Sequence, residues 1–248
     1  MKDIKLALVG YLNTKPFEYG LKTSLSKEIY SIYYDNPAHC VKLYENDKVD
    51  VALVPVGALS SIGEYKIITD SCIGCDDHVR TVVLMSNEKI EDCNHVVLDS
   101  HSRTSAILTR ILLKEYWNTN PRYSTVNIDE IEELETGEAV LMIGDKVFEN
   151  ENKYKYSYDL GHYWKKLIGL PFAYAVWIAK GHVSQSAIDQ LSIDLNNGIN
   201  SIDQVIEEQR IKEPLHDLES YYRDNIDYVL DTEKRKALDL YLTKMLEL

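Results

Sequence analysis

An α/β architecture built on parallel strands is the fold class this sequence predicts, and three observations predict it. Strand-like and helix-like segments alternate from the start; the alternation begins again near Val96; and two long apolar strands, Thr81 to Met85 and Phe172 to Ala179, interrupt it. The economical topology is two lobes, with those two strands carrying the chain across and back. Residues 1–85 with 174–248 form the first lobe, and residues 86–173 form the second, inserted one. A ligand in such a fold sits between the lobes, beyond the carboxyl ends of the parallel strands.

The elements follow in order. Ile4 to Val9 is a strand, and Pro16 stands where a helix can begin. Ile29 to Tyr34 is the second strand, after which Asn36 and Pro37 supply the N-cap and first residue of a helix to Tyr44. Val51 to Val54 is a third strand ending at Pro55, followed by a short helix near Val56 to Ser60. In the second run, strand Val96 to Leu98 precedes helix Thr104 to Trp117, then strands at Tyr123 to Val126 and Ala139 to Ile143. From Ser184 the chain reads as wholly helical. Ile188, Leu191, Leu195, Ile199, Ile202 and Ile206 recur at steps of three and four, and Leu238, Tyr241, Met245 and Leu248 repeat the rhythm, as core-facing stripes do.

A chain of 248 residues with 45% hydrophobic and 27% charged residues has the composition of an ordinary globular protein. Its net charge of −13 makes nucleic acid and acidic membrane surfaces poor partners, so an anionic ligand has to be held by local donors in a defined pocket. No segment approaches the length of a membrane span, and no small-residue cleavage site follows the short apolar run to Val9; both point to a cytoplasmic chain. Cys72-Ile73-Gly74-Cys75 has CxxC spacing, but without a second pair or a helix-opening context buried thiols are the expectation over zinc or redox chemistry.

The densest chemistry lies in Leu98-Asp99-Ser100-His101-Ser102-Arg103-Thr104-Ser105, an apolar strand running into a hydroxyl-rich turn that opens a helix. Backbone N–H groups, hydroxyls and a guanidinium gathered at a helix N-terminus suit a small anion, and Arg103 can grip a carboxylate with two prongs. An ordinary N-cap by Ser102 with Arg103 in solvent is the competing reading. The strand-end rule adds Tyr11-Leu12-Asn13, Pro55 and Gly144-Asp145, so four turns are expected to converge on one cleft.

Tyr11-Leu12-Asn13-Thr14-Lys15-Pro16-Phe17, Asp50 to Val56, Ser102 to Ser105, Ile143-Gly144-Asp145, and Tyr158 to Gly161 with Gly169 to Trp177 occur in that order. The set resembles chorismate dehydratase of the futalosine route to menaquinone. That resemblance implies a two-lobed fold similar to type II periplasmic binding proteins, with the ligand cleft between the lobes and a helical C-terminal segment. The sister enzyme, 1,4-dihydroxy-6-naphthoate synthase, typically opens on a Ser-Pro-Cys-Pro-Asn-Asp type segment and has a His-Glu pair where this chain has Gly144-Asp145; neither feature is present. Two rivals share the fold: a non-catalytic small-anion binding protein, and a LysR-type effector domain, which needs a helix-turn-helix with no room before Ile4.

The reaction implied is loss of water from chorismate, a dianion, to give 3-[(1-carboxyvinyl)oxy]benzoate, with no metal or other cofactor. The resemblance implies that Asn13 and Thr81 are the catalytic residues; Thr81 stands where serine is common, so its hydroxyl survives with a stiffer side chain. Ser102, Arg103, Thr104 and Ser105 are assigned to the substrate carboxylate, with Arg103→Ala expected to raise KM strongly. Gly144 and Asp145 complete the binding set; Asp145 either orients a donor, joins the lobes or caps a helix. Ile168 replaces a common threonine ahead of Gly-Leu-Pro-Phe. His78 and His101 are expected to be bystanders, and Lys15 a surface charge or a minor long-range attractor. With no matching Glu or His base, the enolpyruvyl carboxylate of the substrate is the expected acceptor of the ring proton.

Overall fold

The computed structural model describes residues 4–100, 102–128, 133–212 and 217–248. In chain order its strands are β1 (Ile4–Val9), β2 (Tyr30–Asp35), β3 (Val51–Pro55), β4 (Lys66–Cys75), β5 (Val82–Ser86), β6 (His95–Asp99), β7 (Arg122–Val126), β8 (Glu138–Ile143), β9 (Tyr156–Asp159), β10 (Phe172–Ala179) and β11 (Asp227–Val229). The helices are α1 (Lys15–Thr23), α2 (Pro37–Glu45), α3 (Arg103–Glu115), α4 (Lys146–Asn150), α5 (Leu160–Ile168), α6 (Gln185–Ile199), α7 (Ile202–Arg210), α8 (Leu218–Ser220) and α9 (Thr232–Leu246). No helix among the described residues is long and apolar enough to cross a membrane.

Two sheets organise the molecule into two lobes, β11-β4-β10-β3-β1-β2 and β7-β6-β8-β5-β9. Parallel pairing joins β1 to β2 and β3, and β6 to β7 and β8. The other pairs are antiparallel: β10 with β3 and β4, β11 with β4, and β5 with β8 and β9. Both sheets are therefore mixed, the expected parallel strands being joined by antiparallel ones. The parallel strands end at the cleft, whereas β5 and β10 enter their sheets from it and so run the opposite way.

The same geometry moves the crossing point. Thr81 to Met85 does not bridge the lobes: Val82 to Ser86 pairs residue for residue with β8 and also with β9. All strands of the second sheet lie between Val82 and Asp159, so the chain crosses at residues 76–81, ahead of position 85. It returns through the turn between α5 and β10. There Gly169 takes φ 79°, closing the helix with its N–H on the Lys165 carbonyl, and the Trp164 indole N–H holds the Pro171 carbonyl at 3.2 Å. Ile168 is the last helical residue before that glycine, so the missing threonine hydroxyl alters a helix end away from the cavity lining.

Side-chain caps set several helix starts, each satisfying an orphan N–H. Asn36 accepts from His39, Ser102 from Ser105, Ser184 from Ala187 and Asp231 from Lys234. The C-terminal segment departs from the wholly helical expectation. A π-turn, Tyr221–Asn225, follows α8, and β11 then adds an edge strand to the first sheet. Of the two apolar stripes, Ile188, Leu191, Leu195, Ile206, Leu238 and Tyr241 are buried, whereas Leu248 lies beyond α9 and is exposed.

Candidate active site

A cavity of about 640 Å3, counting the space at its mouth, lies where the two sheets meet. The four strand-end turns converge on it. Tyr11, Asn13 and Thr14 follow β1; Pro55 ends β3; Ser102, Thr104 and Ser105 open α3; and Gly144 follows β8. Thr81, just ahead of β5, and Tyr174 of β10 complete the polar lining. Among its described residues the lining holds no carboxylate, imidazole, thiol, ammonium or guanidinium, and so no set of side chains suited to a metal ion.

Thr81 and Asn13 are brought together through a tyrosine of the C-terminal segment. The Tyr221 hydroxyl is 3.0 Å from Thr81 Oγ1 and also shares a hydrogen bond with the Asn13 side chain. Burial pushes this phenol well above its ordinary range, with the Thr81 hydrogen bond opposing, so it stays protonated. Two more tyrosines pin the loop after β1: Tyr222 donates to the Leu12 carbonyl at 2.9 Å and Tyr228 to the Asn13 carbonyl at 3.0 Å.

Across the cavity, the Ser102 hydroxyl caps α3 by accepting from the Ser105 N–H at 3.3 Å, and both side chains are buried. The first turn of this long helix thus faces the cavity with the positive end of its dipole. Thr104 has a different task from the one expected. Its Oγ1 accepts from the Gly57 N–H at 3.0 Å and donates to the Tyr174 carbonyl at 3.4 Å, while its own carbonyl accepts from Tyr241. Thr104 ties the lobes together. A Cβ on Gly57 would lie 2.9 Å from the Thr104 Cα, so this approach requires glycine.

Asp145 likewise joins the lobes: its two carboxylate oxygens accept from the Leu12 N–H at 3.2 and 3.1 Å, and its side chain makes no cap bond to α4. Gly144 has φ 71° and donates its N–H to the Thr81 carbonyl at 2.9 Å, and a Cβ there would rest in ordinary contact with the Tyr11 ring. The left-handed backbone is what favours glycine at this position.

Arg103 contradicts its expected role. The side chain is exposed, lies outside the cavity lining, and donates from Nη1 to the Ser61 hydroxyl at 2.8 Å. The cause is helical phase. Ser102 and Ser105, three residues apart, share the inward face, and Arg103 at the first helical position turns away from it. The two-pronged grip is withdrawn. Lys15 pairs with Glu18 at 2.9 Å as a surface charge, His78 is exposed outside the lining, and His101 lies outside the described residues. Cys72 and Cys75 are both buried in β4; three residues apart on a strand, they point to opposite faces, which excludes a pair.

Tyr174, to which the sequence assigns no role, lines the cavity with a buried hydroxyl whose neighbour among the described residues is the Cys75 thiol. Burial pushes its phenol well above the ordinary range, leaving it a proton donor. The accessible signal was compositional: 18 tyrosines against 3 phenylalanines says that many interior rings carry a hydroxyl needing a partner.

Residues 4–247 match the family model described as menaquinone biosynthesis. The chain belongs to that family. Its role is accordingly in menaquinone biosynthesis. Solved structures agree on the fold. Protein AF1704 from Archaeoglobus fulgidus superposes with a TM-score of 0.78 at 14% identity, over 99% of this chain and 97% of that one. The Candida albicans CA3427 product, described as having the generic periplasmic binding protein fold, gives 0.61 at 11% identity, over 98% and 91%. The alkanesulfonate-binding protein SsuA from Xanthomonas axonopodis pv. citri, bound to MOPS, gives 0.62 at 8% identity, over 99% and 94%. At these identities the likeness is one of fold: two lobes, periplasmic-binding-protein-like.

Proposed function

We propose that this member of the menaquinone biosynthesis family is a chorismate dehydratase, converting chorismate to 3-[(1-carboxyvinyl)oxy]benzoate and water. The observation that carries the reading is the lining itself: an amide, several hydroxyls and a helix N-terminus, with no charged side chain among its described residues. Such a set orients a dianion and stabilises a departing hydroxyl without supplying a strong base. Chorismate needs little more, because forming an aromatic ring drives the elimination.

In this scheme a ring C–H bond breaks and its electron pair becomes the new ring double bond. The ring C–O bond breaks with its pair on the leaving hydroxyl, and the enolpyruvyl carboxylate takes the proton and passes it to that hydroxyl as water forms. Asn13 and Thr81, linked through Tyr221, hold the leaving hydroxyl. Ser102, Ser105 and the first turn of α3 receive a carboxylate, and the Tyr174 hydroxyl supplies one further donor. Gly144 and Asp145 shape and close the cleft.

The test is incubation of the purified protein with chorismate alone, followed by mass and ultraviolet absorbance. Loss of one water with appearance of the benzoate chromophore is the expected result. Chorismate recovered intact by a folded protein overturns the assignment.

A further inference from the structure

Outside the cavity, at the loop where the chain crosses between sheets, Asp77, His78 and His162 cluster so that one ligand atom from each lies within 4.8 Å of the others. Asp77 Oδ1 is 2.7 Å from His162 Nδ1, and Asp77 Oδ2 is 3.5 Å from His78 Nδ1. The imidazole rings stack at 4.2 Å between centroids and 25° between planes. Donor atoms about 2.0–2.1 Å from a tetrahedral ion lie roughly 3.3 Å apart, so the two contacts bracket the spacing of a first coordination shell.

One half-buried carboxylate prepares all three side chains. Asp159 accepts from the N–H groups of Val79 and Arg80 at 3.2 and 2.7 Å, fixing the loop that presents Asp77 and His78. It also accepts from the N–H groups of Gly161 and His162 at 3.0 and 3.2 Å, fixing the helix start that presents His162. Within that loop Arg80 is held at φ 66°, a left-handed conformation that a non-glycine residue adopts only when its surroundings impose it. Such outer support is what keeps metal ligands in position.

We propose that Asp77, His78 and His162 bind a divalent cation of the zinc class, through two imidazole nitrogens and one carboxylate oxygen with a further position open to water. Imidazole ligands select zinc, cobalt, nickel or copper over magnesium and calcium. A net charge of −13 favours any cation. The bound ion fastens the crossing loop, whose Val79 and Thr81 line the cavity, to α5 of the second lobe.

The test is calorimetric titration of the chelator-treated full chain with Zn2+, together with visible spectra of Co2+ added alone. Expected are one ion per chain, a spectrum of nitrogen-ligated tetrahedral Co2+, and no competition by Mg2+. His78→Gln and His162→Gln each weaken Zn2+ binding at least about tenfold. His182→Gln, at a distant surface pair with Asp50, leaves binding unchanged. Metal-free melting curves establish that the variants fold; should they not, Zn2+-induced NMR shifts of the two imidazoles in the unsubstituted protein decide the matter. Zn2+ affinity equal in the wild type and the His78→Gln/His162→Gln double variant, or shifts confined to other histidines, overturns the site.

Discussion

Tyr221 is where the chemistry of the first cleft wall is set. Its hydroxyl contacts both Thr81 and Asn13, so these two residues act as a unit aimed by a third. Thr81→Val keeps the shape and removes the donor; kcat for chorismate is expected to fall about 10²-fold, with Thr81→Ser restoring it. Tyr221→Phe is expected to lower kcat less, since Thr81 keeps its hydroxyl but loses its aim. Equal rates for Thr81→Val and wild type would remove Thr81 from the reaction. Arg103 calls for the opposite forecast to the one its motif suggests. Its guanidinium meets Ser61 outside the cavity, so Arg103→Ala is expected to leave KM within about twofold, a change worth less than one exposed hydrogen bond. A KM raised tenfold or more would return Arg103 to the carboxylate site.

Among the elements, the crossing of α1 and α6 is the least tolerant of change. A Cβ on Gly198 would stand 1.9 Å from the Pro16 carbonyl oxygen, and one on Gly20 would stand 2.0 Å from the Asp194 carbonyl oxygen. Gly198→Ala has to separate two helices and is expected to cost at least about 1–3 kcal/mol in a denaturant melt. Gly63→Ala, with nothing within 4 Å of its Cβ, is the control that leaves stability unchanged. Those glycines sit in helical sequence that gives no sign of a partner, and the same limit governs what else was legible. β1, β2, β3, β6, β7, β8 and β10 are each apolar or bounded by turns, and the residues alone place them within a residue or two. β4 was not: Thr69 and Ser71 interrupt its apolar run because both are buried and hydrogen-bonded to each other's neighbourhood. β9 and β11 are short edge strands that take their structure from a neighbour. Ser102 and Ser105 were legible as a cap facing a strand end. Tyr174 and Tyr221 were not, because their value lies in contacts across β10 and the C-terminal segment that no local pattern encodes.

At the scale of the molecule, the ties between the two lobes include Asp145 to Leu12, Thr104 to Gly57, Tyr241 to Thr104 and Arg103 to Ser61. The surrounding surface is strongly acidic, and its carboxylates set the pH response. A hydrogen bond from His39 holds Asp35 below the ordinary carboxylate value, and one from Lys180 does the same for Asp47. A lowered folded pKa means that the unfolded chain binds more protons, so stability rises with pH through the window. The contribution is complete above the unfolded pKa near 4 and is lost as the pH falls through the lower folded value. Melting temperature is therefore expected to be level near pH 6 and to fall steadily toward pH 3; a maximum near pH 4 would contradict this sign.

The most direct test of a neutral cleft acting on a dianionic ring is a crystal structure with 3-[(1-carboxyvinyl)oxy]benzoate bound. The ring is expected between the Asn13 and Thr81 side chains on one wall and the first turn of α3 on the other. One carboxylate should be received by Ser102 and Ser105, and the Tyr174 hydroxyl should lie within hydrogen-bond distance of the ligand. Density for the product against Arg103 and Ser61, with the cavity between the sheets empty, would contradict it.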